Sequence, residues 1–330
     1  MSPPDPVRGN LPRYQSGVAP QRMLTVLLGD YWFSRGEPLP SSALVELLGA
    51  LEITPSSARA AIQRLAQRGF LVAHKDGRRT SYSVHAGNRK YQAQRIERIF
   101  QAHRERPWDG TWTIITYRVP ETAAPLRRAL RDTLRQLRFG HLNDGVWIKP
   151  GSHAEEAFTH LKSGNDSVLT LVSFFEGARL PDFVSPLELR RAFDADALDE
   201  EYLSFALRWE RRARDLGDHW PTGLEALRLR TEVLSEWRPL VHQDPQLPNA
   251  LLPEEPPLRR AAAAAALFYD RLGPPAENAV RKVVERHQPE LAPLVLHHTF
   301  AASDQLLAQE EGDNGQPRAS SGRRPDLPSA

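Results

Sequence analysis

The 330-residue chain contains no cysteine. That excludes disulfides, thiolate zinc sites and cysteine nucleophiles, and it suits a reducing compartment. No apolar run approaches the roughly 20 residues of a membrane-spanning helix. The opening stretch MSPPDPVRGNLPRYQ lacks the apolar segment of a secretory signal, so a cytoplasmic protein with no membrane partner is expected. Glycine-rich phosphate loops, nucleophile elbows and solenoid repeats are also missing. His141, His153, His160, His297 and His298 have neither zincin nor zinc-finger spacing, and ordinary hydrogen-bonded histidines are expected rather than a metal site. No catalytic residue is assigned.

Acid is scarce in one place. Residues 54–90 carry eight Lys+Arg and a single acid, Asp76. Residues 1–106 hold 16 Lys+Arg against 8 Asp+Glu, and the remainder holds 27 against 33. The formal net charge of +2 therefore conceals a basic N-terminal part, which points to a polyanion as its partner.

The patterning divides the chain. Residues 1–20 and 311–330 are rich in Pro, Gly and polar groups and read as a disordered arm and tail. QRMLTVLLGDYWF (21–33) and SSALVELLGAL (41–51) have helical spacing, with Ser41 or Ser42 as the N-cap of the second. Thr54 is a third N-cap, Pro55 suits the first helical position, and Gly69 suits the stop. FLVAHK and TSYSVH are short strands joined by DGRR, a hairpin turn. This order, over 21–87, is that of a winged helix-turn-helix.

A connecting helix is expected over 88–107, with apolar Tyr91, Ile96, Ile99 and Phe100. Strands at 111–119, 145–151 and 167–174 alternate with helices at 124–138 and 152–162, which predicts a ferredoxin-like half-sandwich over 108–180. From 181 to 310 the pattern is helical, and proline-rich DPQLPNALLPEEPPLRR crosses its middle. The fold class is α+β multidomain.

Ala58, Ala61, Ile62 and Leu65 fall on one face of the helix from Pro55. The other face carries Ser56, Ser57, Arg59, Ala60, Gln63 and Arg64. A helix entering a major groove needs short side chains for close approach, Arg to fork onto guanine and Gln to pair with adenine. Ser56, Ser57, Arg59 and Gln63 are therefore candidate base readers, behind Thr54 at the cap. Arg64 and Arg68 suit phosphate or structural roles. Lys75, Arg78 and Arg79 of the hairpin suit the DNA backbone or minor groove. The competing reading is a solvated basic face on a packing domain.

Elsewhere, Arg127, Arg131, Arg135 and Arg138 make a row beside Leu126, Leu130, Leu134 and Leu137. Guanidinium forks suit phosphates, those of coenzyme A or of DNA, although a solvated helix face accounts for the row as well. Trp209, Trp220, Trp237, Phe268 and Tyr269 are candidates for an aromatic acyl pocket or for core.

SSARAAIQRLAQRGFL, WDGTWTIITYRVPE, FGHLNDGVWIKPG and DPQLPNALLP occur in this order, and over about residues 21–285 the chain resembles the PaaX-type regulators of phenylacetate degradation. The resemblance implies a winged-helix domain, a Cas2-like ferredoxin-fold middle domain and a helical C-terminal domain. It also implies a homodimeric repressor released from its operator by an aryl-acyl-CoA such as phenylacetyl-CoA, with no cofactor. Arg59 and Arg64 fall where the family carries arginines in its third helix. Where relatives often have a Trp-Pro-Gly-like stretch after LLP, this chain has EEPPLRR (254–260), a departure that bears on inducer identity. Two other classes stay open: a Cas2-related nuclease and a ligand-independent architectural DNA binder. The first needs a carboxylate near the end of the first central strand, where Glu121 falls late and alone and Asp109 precedes the strand.

Overall fold

The computed structural model describes residues 20–301, apart from 33–34, 88–98, 103, 105–107, 165 and 182. The expected arm, the tail and most of the connecting helix, Tyr91 and Ile96 included, lie outside the described residues.

Three helices and a hairpin form the N-terminal unit: α1 (Pro20–Tyr31), α2 (Ser41–Ala50), α3 (Pro55–Gln67), β2 (Leu71–Asp76) and β3 (Arg79–Val84). The two-residue β1 (Leu39–Pro40) adds to β3, giving the sheet order β1-β3-β2. This is winged-helix topology. α2 and α3 end alike. Ile53 N–H reaches back to Leu48 O and Phe70 N–H to Leu65 O, 3.1 and 3.0 Å, with Glu52 (φ 63°) and Gly69 (φ 70°) in the left-handed position between. That is a Schellman close, which satisfies the last carbonyls of each helix. The Ser41/Ser42 cap is corrected: Pro40 occupies the N-cap with no side-chain bond, because the chain arrives there as strand β1. Ser42 Oγ instead lies 2.9 Å from His287 Nδ1 in the C-terminal part.

The central unit runs β4 (Trp112–Tyr117), α4 (Ala124–Gln136), β5 (Gly140–Asn143), β6 (Val146–Pro150), α5 (Ala154–Gly164) and β7 (Val172–Ala178). Its strands lie in the antiparallel order β5-β6-β4-β7, which is the ferredoxin-like arrangement. Two sequence expectations change. β5 is a strand the periodicity did not show; its Gly140 lies against the Phe193 ring, where a Cβ would sit 2.8 Å from the ring. Residues 167–171 are not strand but part of a 3-10 turn, Asp166–Leu171. The β4 ladder ends at the pair Tyr117–Val172, so earlier residues have no strand to join. Alternation along the strands sends Ile115 and Trp147 to the face covered by α4 and α5, and Trp112 and Ile148 to the other.

That second face is covered by α6 (Pro186–Ala192), through Leu189, and by the proline-rich crossing, through Leu247 and Leu251. The C-terminal unit continues with α7 (Ala195–Leu216), α8 (Gly223–Gln243), α9 (Pro257–Arg271) and α10 (Gly273–His287). Trp209, Trp237, Phe268 and Tyr269 are buried in its core. Trp209 and Trp220 each meet the Phe268 ring, at 4.8 and 5.0 Å between centroids. These aromatics pack on one another, so the acyl-pocket expectation for them is replaced by core packing.

The N-terminal unit shares one hydrophobic core with the C-terminal helices. Met23, Leu24, Val26, Leu27, Leu28 and Tyr31 of α1 are all buried. At the centre, Arg230 Nη1 donates to Asp30 Oδ2 at 2.7 Å, both side chains fully inaccessible. The rest of the guanidinium is satisfied by Tyr269 O (3.0 Å) and His298 O (2.6 Å), and the Tyr269 hydroxyl donates to Asp30. Burial pushes the Tyr31 and Tyr269 phenols up. Burial is the largest influence on Arg230 and disfavours its charge, but Asp30, Tyr269 and Tyr31 together outweigh it and Arg230 stays ionised. Around the rim, Glu46 pairs with Arg286 and His287, Arg228 with Glu52, and Arg22 donates to Ser235 O at 2.6 Å.

Candidate nucleic-acid interface

α3 begins where Thr54 turns extended chain (φ −62°, ψ 149°) into helix, its Oγ1 accepting from Ser57 N–H at 3.3 Å. Thr54 Oγ1 also donates to Ser57 Oγ at 3.0 Å and lies 3.2 Å from Ser56 Oγ. Thr54 therefore shapes the first turn. Ala58, Ala61, Ile62 and Leu65 are buried against α1 and α2, as the spacing predicts. Ser56, Arg59, Gln63 and Arg64 are exposed and Ser57 is half-buried. At about 100° per residue, Ser56, Arg59, Ala60 and Gln63 make a stripe opposite the buried face, with Arg64 at its edge. Gln67 is exposed and extends the stripe by a turn. The sequence reading passed over it, although its i+4 spacing from Gln63 was visible. Arg68 donates to Gln21 Oε1 at 3.2 Å and ties α3 to α1.

The hairpin is two residues wide at its tip. Asp76 pairs with Arg79 across the ladder, and Gly77 takes φ 57° at the first turn position, where glycine is favoured. Every residue from Val72 to Arg79 is exposed, so Lys75, Arg78 and Arg79 all reach solvent. Among the described residues, Arg59, Arg64, Lys75, Arg78 and Arg79 make no ion pair, whereas Arg228, Arg230 and Arg286 each hold a carboxylate. The unit thus pairs cations where it meets the C-terminal helices and leaves them open along α3 and the hairpin. An acid-free helix face flanked by open cations can approach a polyanion closely while presenting hydrogen-bonding groups to base edges.

The arginine row of α4 does not act as one surface. Arg127 donates to Val119 O (3.2 Å) and Arg131 to the Tyr117 hydroxyl (3.1 Å). Arg138 takes φ 65° at the Schellman end of α4, which aims it at Val241 O (3.4 Å) and His242 O (3.1 Å) of α8. Arg135 alone stays mostly in solvent, near Asp132 at 3.6 Å. Asp109 accepts from Thr111 N–H and Oγ1–H, at 2.9 and 2.7 Å, closing the turn before β4. Those bonds hold its carboxyl below the usual range. His153 lies 3.3 Å from Glu156, His160 Nδ1 2.7 Å from Glu156 O, and His297 2.5 Å from Glu277. Among the described residues no helix is long and apolar enough to cross a membrane.

Comparison with known proteins gives three family matches in chain order. Residues 19–86 match the PaaX-like protein family, 105–182 the PaaX protein central Cas2-like domain, and 193–282 the PaaX-like protein C-terminal domain. A transcriptional repressor PaaX of Escherichia coli (strain K12) is 25% identical over 285 residues, which are 83% of this chain and 87% of that one. An uncharacterized protein from Mycobacterium tuberculosis superposes with a TM-score of 0.52 at 23% identity, over 79% of this chain and 98% of that one, a likeness of fold.

Proposed function

The chain belongs to the PaaX family, and on that premise we propose that it is a DNA-binding transcriptional repressor rather than an enzyme. The observation that carries DNA binding is the exposed, acid-free stripe of α3 beside the open cations of the hairpin. In this reading Ser56, Ser57, Arg59 and Gln63 meet base edges in the major groove, and Thr54 sets the turn that presents them. Arg64 meets phosphate, and Lys75, Arg78 and Arg79 meet the backbone or minor groove. The repressor is a homodimer on a palindromic operator, whose half-sites lie about one helical turn apart or a multiple of it.

An aryl-acyl-CoA, with phenylacetyl-CoA the first candidate, releases the operator by binding better to a DNA-incompetent arrangement of the units. Only such a difference in affinity shifts the equilibrium. Three of the four arginines in the α4 row are held by internal partners, so this reading does not place the thioester's phosphates there. The test is fluorescence anisotropy on DNA upstream of the protein's own gene against scrambled DNA, at near-physiological salt. Specific binding lost with phenylacetyl-CoA, but not with free phenylacetate or CoA, is the expected result. Equal affinity for every fragment tried would refute the repressor reading.

A further inference from the structure

The outer side of α7 is not the polar face that a surface helix usually shows. Tyr202, Phe205, Ala206 and Trp209 turn into the helical core. At about 100° per residue, Glu200, Leu203, Ser204, Leu207 and Arg211 fall on the outer side, and all five are exposed. Leu203 and Leu207 are 38% and 48% accessible. A single exposed leucine is ordinary, but two on successive turns make a continuous apolar strip. Leu267 of α9 is exposed as well. It lies on the same stripe of α9 as Arg260, two turns earlier, and Arg260 forks onto Glu210 of α7 through two bonds of 2.7 Å.

The strip lies between charges of opposite sign. Glu200 and Glu201 precede it, and Arg211 and Arg212 follow it, all four exposed. Among the described residues these four make no ion pair, whereas Arg208 and Glu210 beside them hold Glu236 and Arg260. The helix dipole favours acid early and base late, but only within the first and last turns. Glu200 and Arg211 lie inside those turns' limits, nearer the middle of the 22-residue helix. The order acid, leucine, leucine, base is its own complement when reversed. A second α7 running antiparallel sets Glu200 opposite Arg211 of the partner subunit and Leu203 opposite Leu207 of the partner subunit. Each contact then occurs twice, as a two-fold axis requires. The pairing is centred on the midpoint of α7, so the two helices overlap along their whole length. Ser204, the shortest side chain of the strip, falls beside the axis and lets the backbones approach.

The inner side of α7 belongs to the same core as α1 of the N-terminal unit. Two chains joined through α7 therefore carry their α3 helices on one connected body, at a spacing that the helical unit sets. That is what two half-sites of a palindrome require.

We propose that the outer face of α7, with Leu267 beside it, is the surface on which a second copy of this chain docks, antiparallel about a two-fold axis. The proposal rests on the homodimer reading above and names the surface that reading leaves open. Sedimentation equilibrium of the full chain measures the dimer. Leu207→Glu changes an exposed residue and is expected to give a monomer with the wild-type circular dichroism spectrum. Glu200→Arg and Arg211→Glu are each expected to weaken the dimer about tenfold, since symmetry turns one altered residue into two lost pairs and two like-charge contacts. The double variant Glu200→Arg, Arg211→Glu is expected to regain wild-type strength. The two positions lie about 16 Å apart along one helix, so the rescue arises only between chains. The chain has no cysteine, so Ser204→Cys supplies a single thiol. Mild oxidation is expected to close it into a disulfide-linked dimer, whereas Glu285→Cys, exposed on α10, stays uncrosslinked. Dimers of wild-type strength in the Leu207 and single charge variants, or a double variant no stronger than the singles, would overturn the surface and leave the homodimer reading intact. A wild-type chain that is a single copy in solution and on its operator would overturn the homodimer reading, and the surface with it, and give the face to another partner.

Discussion

Arg230→Met should be among the most destabilising single changes in the chain, because it strands a charge where no water reaches. The pair with Asp30 has a 2.7 Å contact and no exposure on either side. Removing the guanidinium leaves the Asp30 carboxylate in the shared core with the Tyr269 hydroxyl still donating to it, and Tyr269 O and His298 O each lose a guanidinium donor as well. Breaking a buried pair by deleting one partner costs about 3–5 kcal/mol, a large share of a typical total of about 5–15. Methionine fills part of the volume, so the loss is electrostatic more than steric. Urea denaturation followed by circular dichroism measures it. The double variant Asp30→Asn, Arg230→Met should recover part of the loss, since the stranded charge is gone. Because α1 and α8 contribute to one core, the N-terminal unit should lose protease protection together with the C-terminal helices. A cost below about 1 kcal/mol, or an N-terminal unit that stays protected while the helices open, would refute the claim that the DNA-binding unit is clamped to the helical one.

Three smaller changes test other parts. Gly140→Ala should cost about 1–3 kcal/mol by overpacking, since its Cβ would lie 2.8 Å from the Phe193 ring; a thermal melt unchanged from wild type would contradict this packing. The His153 and Lys149 contacts hold the Glu156 carboxyl down to about 2, from an ordinary 4.5. A depressed acid stabilises the fold above its unfolded value, and the stabilisation is lost as pH falls from about 4.5 towards 2. Glu156 is half-exposed, so the effect is at most about 1 kcal/mol, read as a shallower acid limb in Glu156→Gln. Lys75→Ala should weaken specific and scrambled DNA alike and lower the salt slope by about 0.9 for one lost phosphate contact, measured by anisotropy across a salt series.

The features legible in the sequence are those fixed by neighbours along the chain. Thr54-Pro55 and Gly69 mark both ends of α3 with residues whose local chemistry favours those positions, and Gly77 marks the hairpin. The buried Ala58, Ala61, Ile62 and Leu65 face left the candidate readers opposite it. What escaped depended on distant partners or on unmarked backbone. Glu52 and Arg138 fill left-handed positions where glycine is the usual signal, so the turn that closes each helix carries no mark in the sequence. Arg138 is thereby turned from its row towards α8. β5 is four residues long, too short for alternation to show. Ser42 resembles a cap but is used 245 residues away, at His287. The clamp between the N- and C-terminal units did leave one trace. At about 100° per residue, the buried Met23, Leu24, Val26, Leu27, Leu28 and Tyr31 of α1 span roughly 200° of the helix, wider than the roughly 100° stripe of a helix packed on one side.

The central claim is that α3 reads base sequence. The most direct test compares wild type and Arg59→Ala on the operator and on scrambled DNA at one salt concentration. Arg59 is exposed and outside the core, so the variant should fold as the wild type does. Loss of one base contact should cost about 1–3 kcal/mol on the operator and far less on scrambled DNA, which collapses the preference. A variant that keeps the full operator preference would contradict the assignment of α3 as the reader.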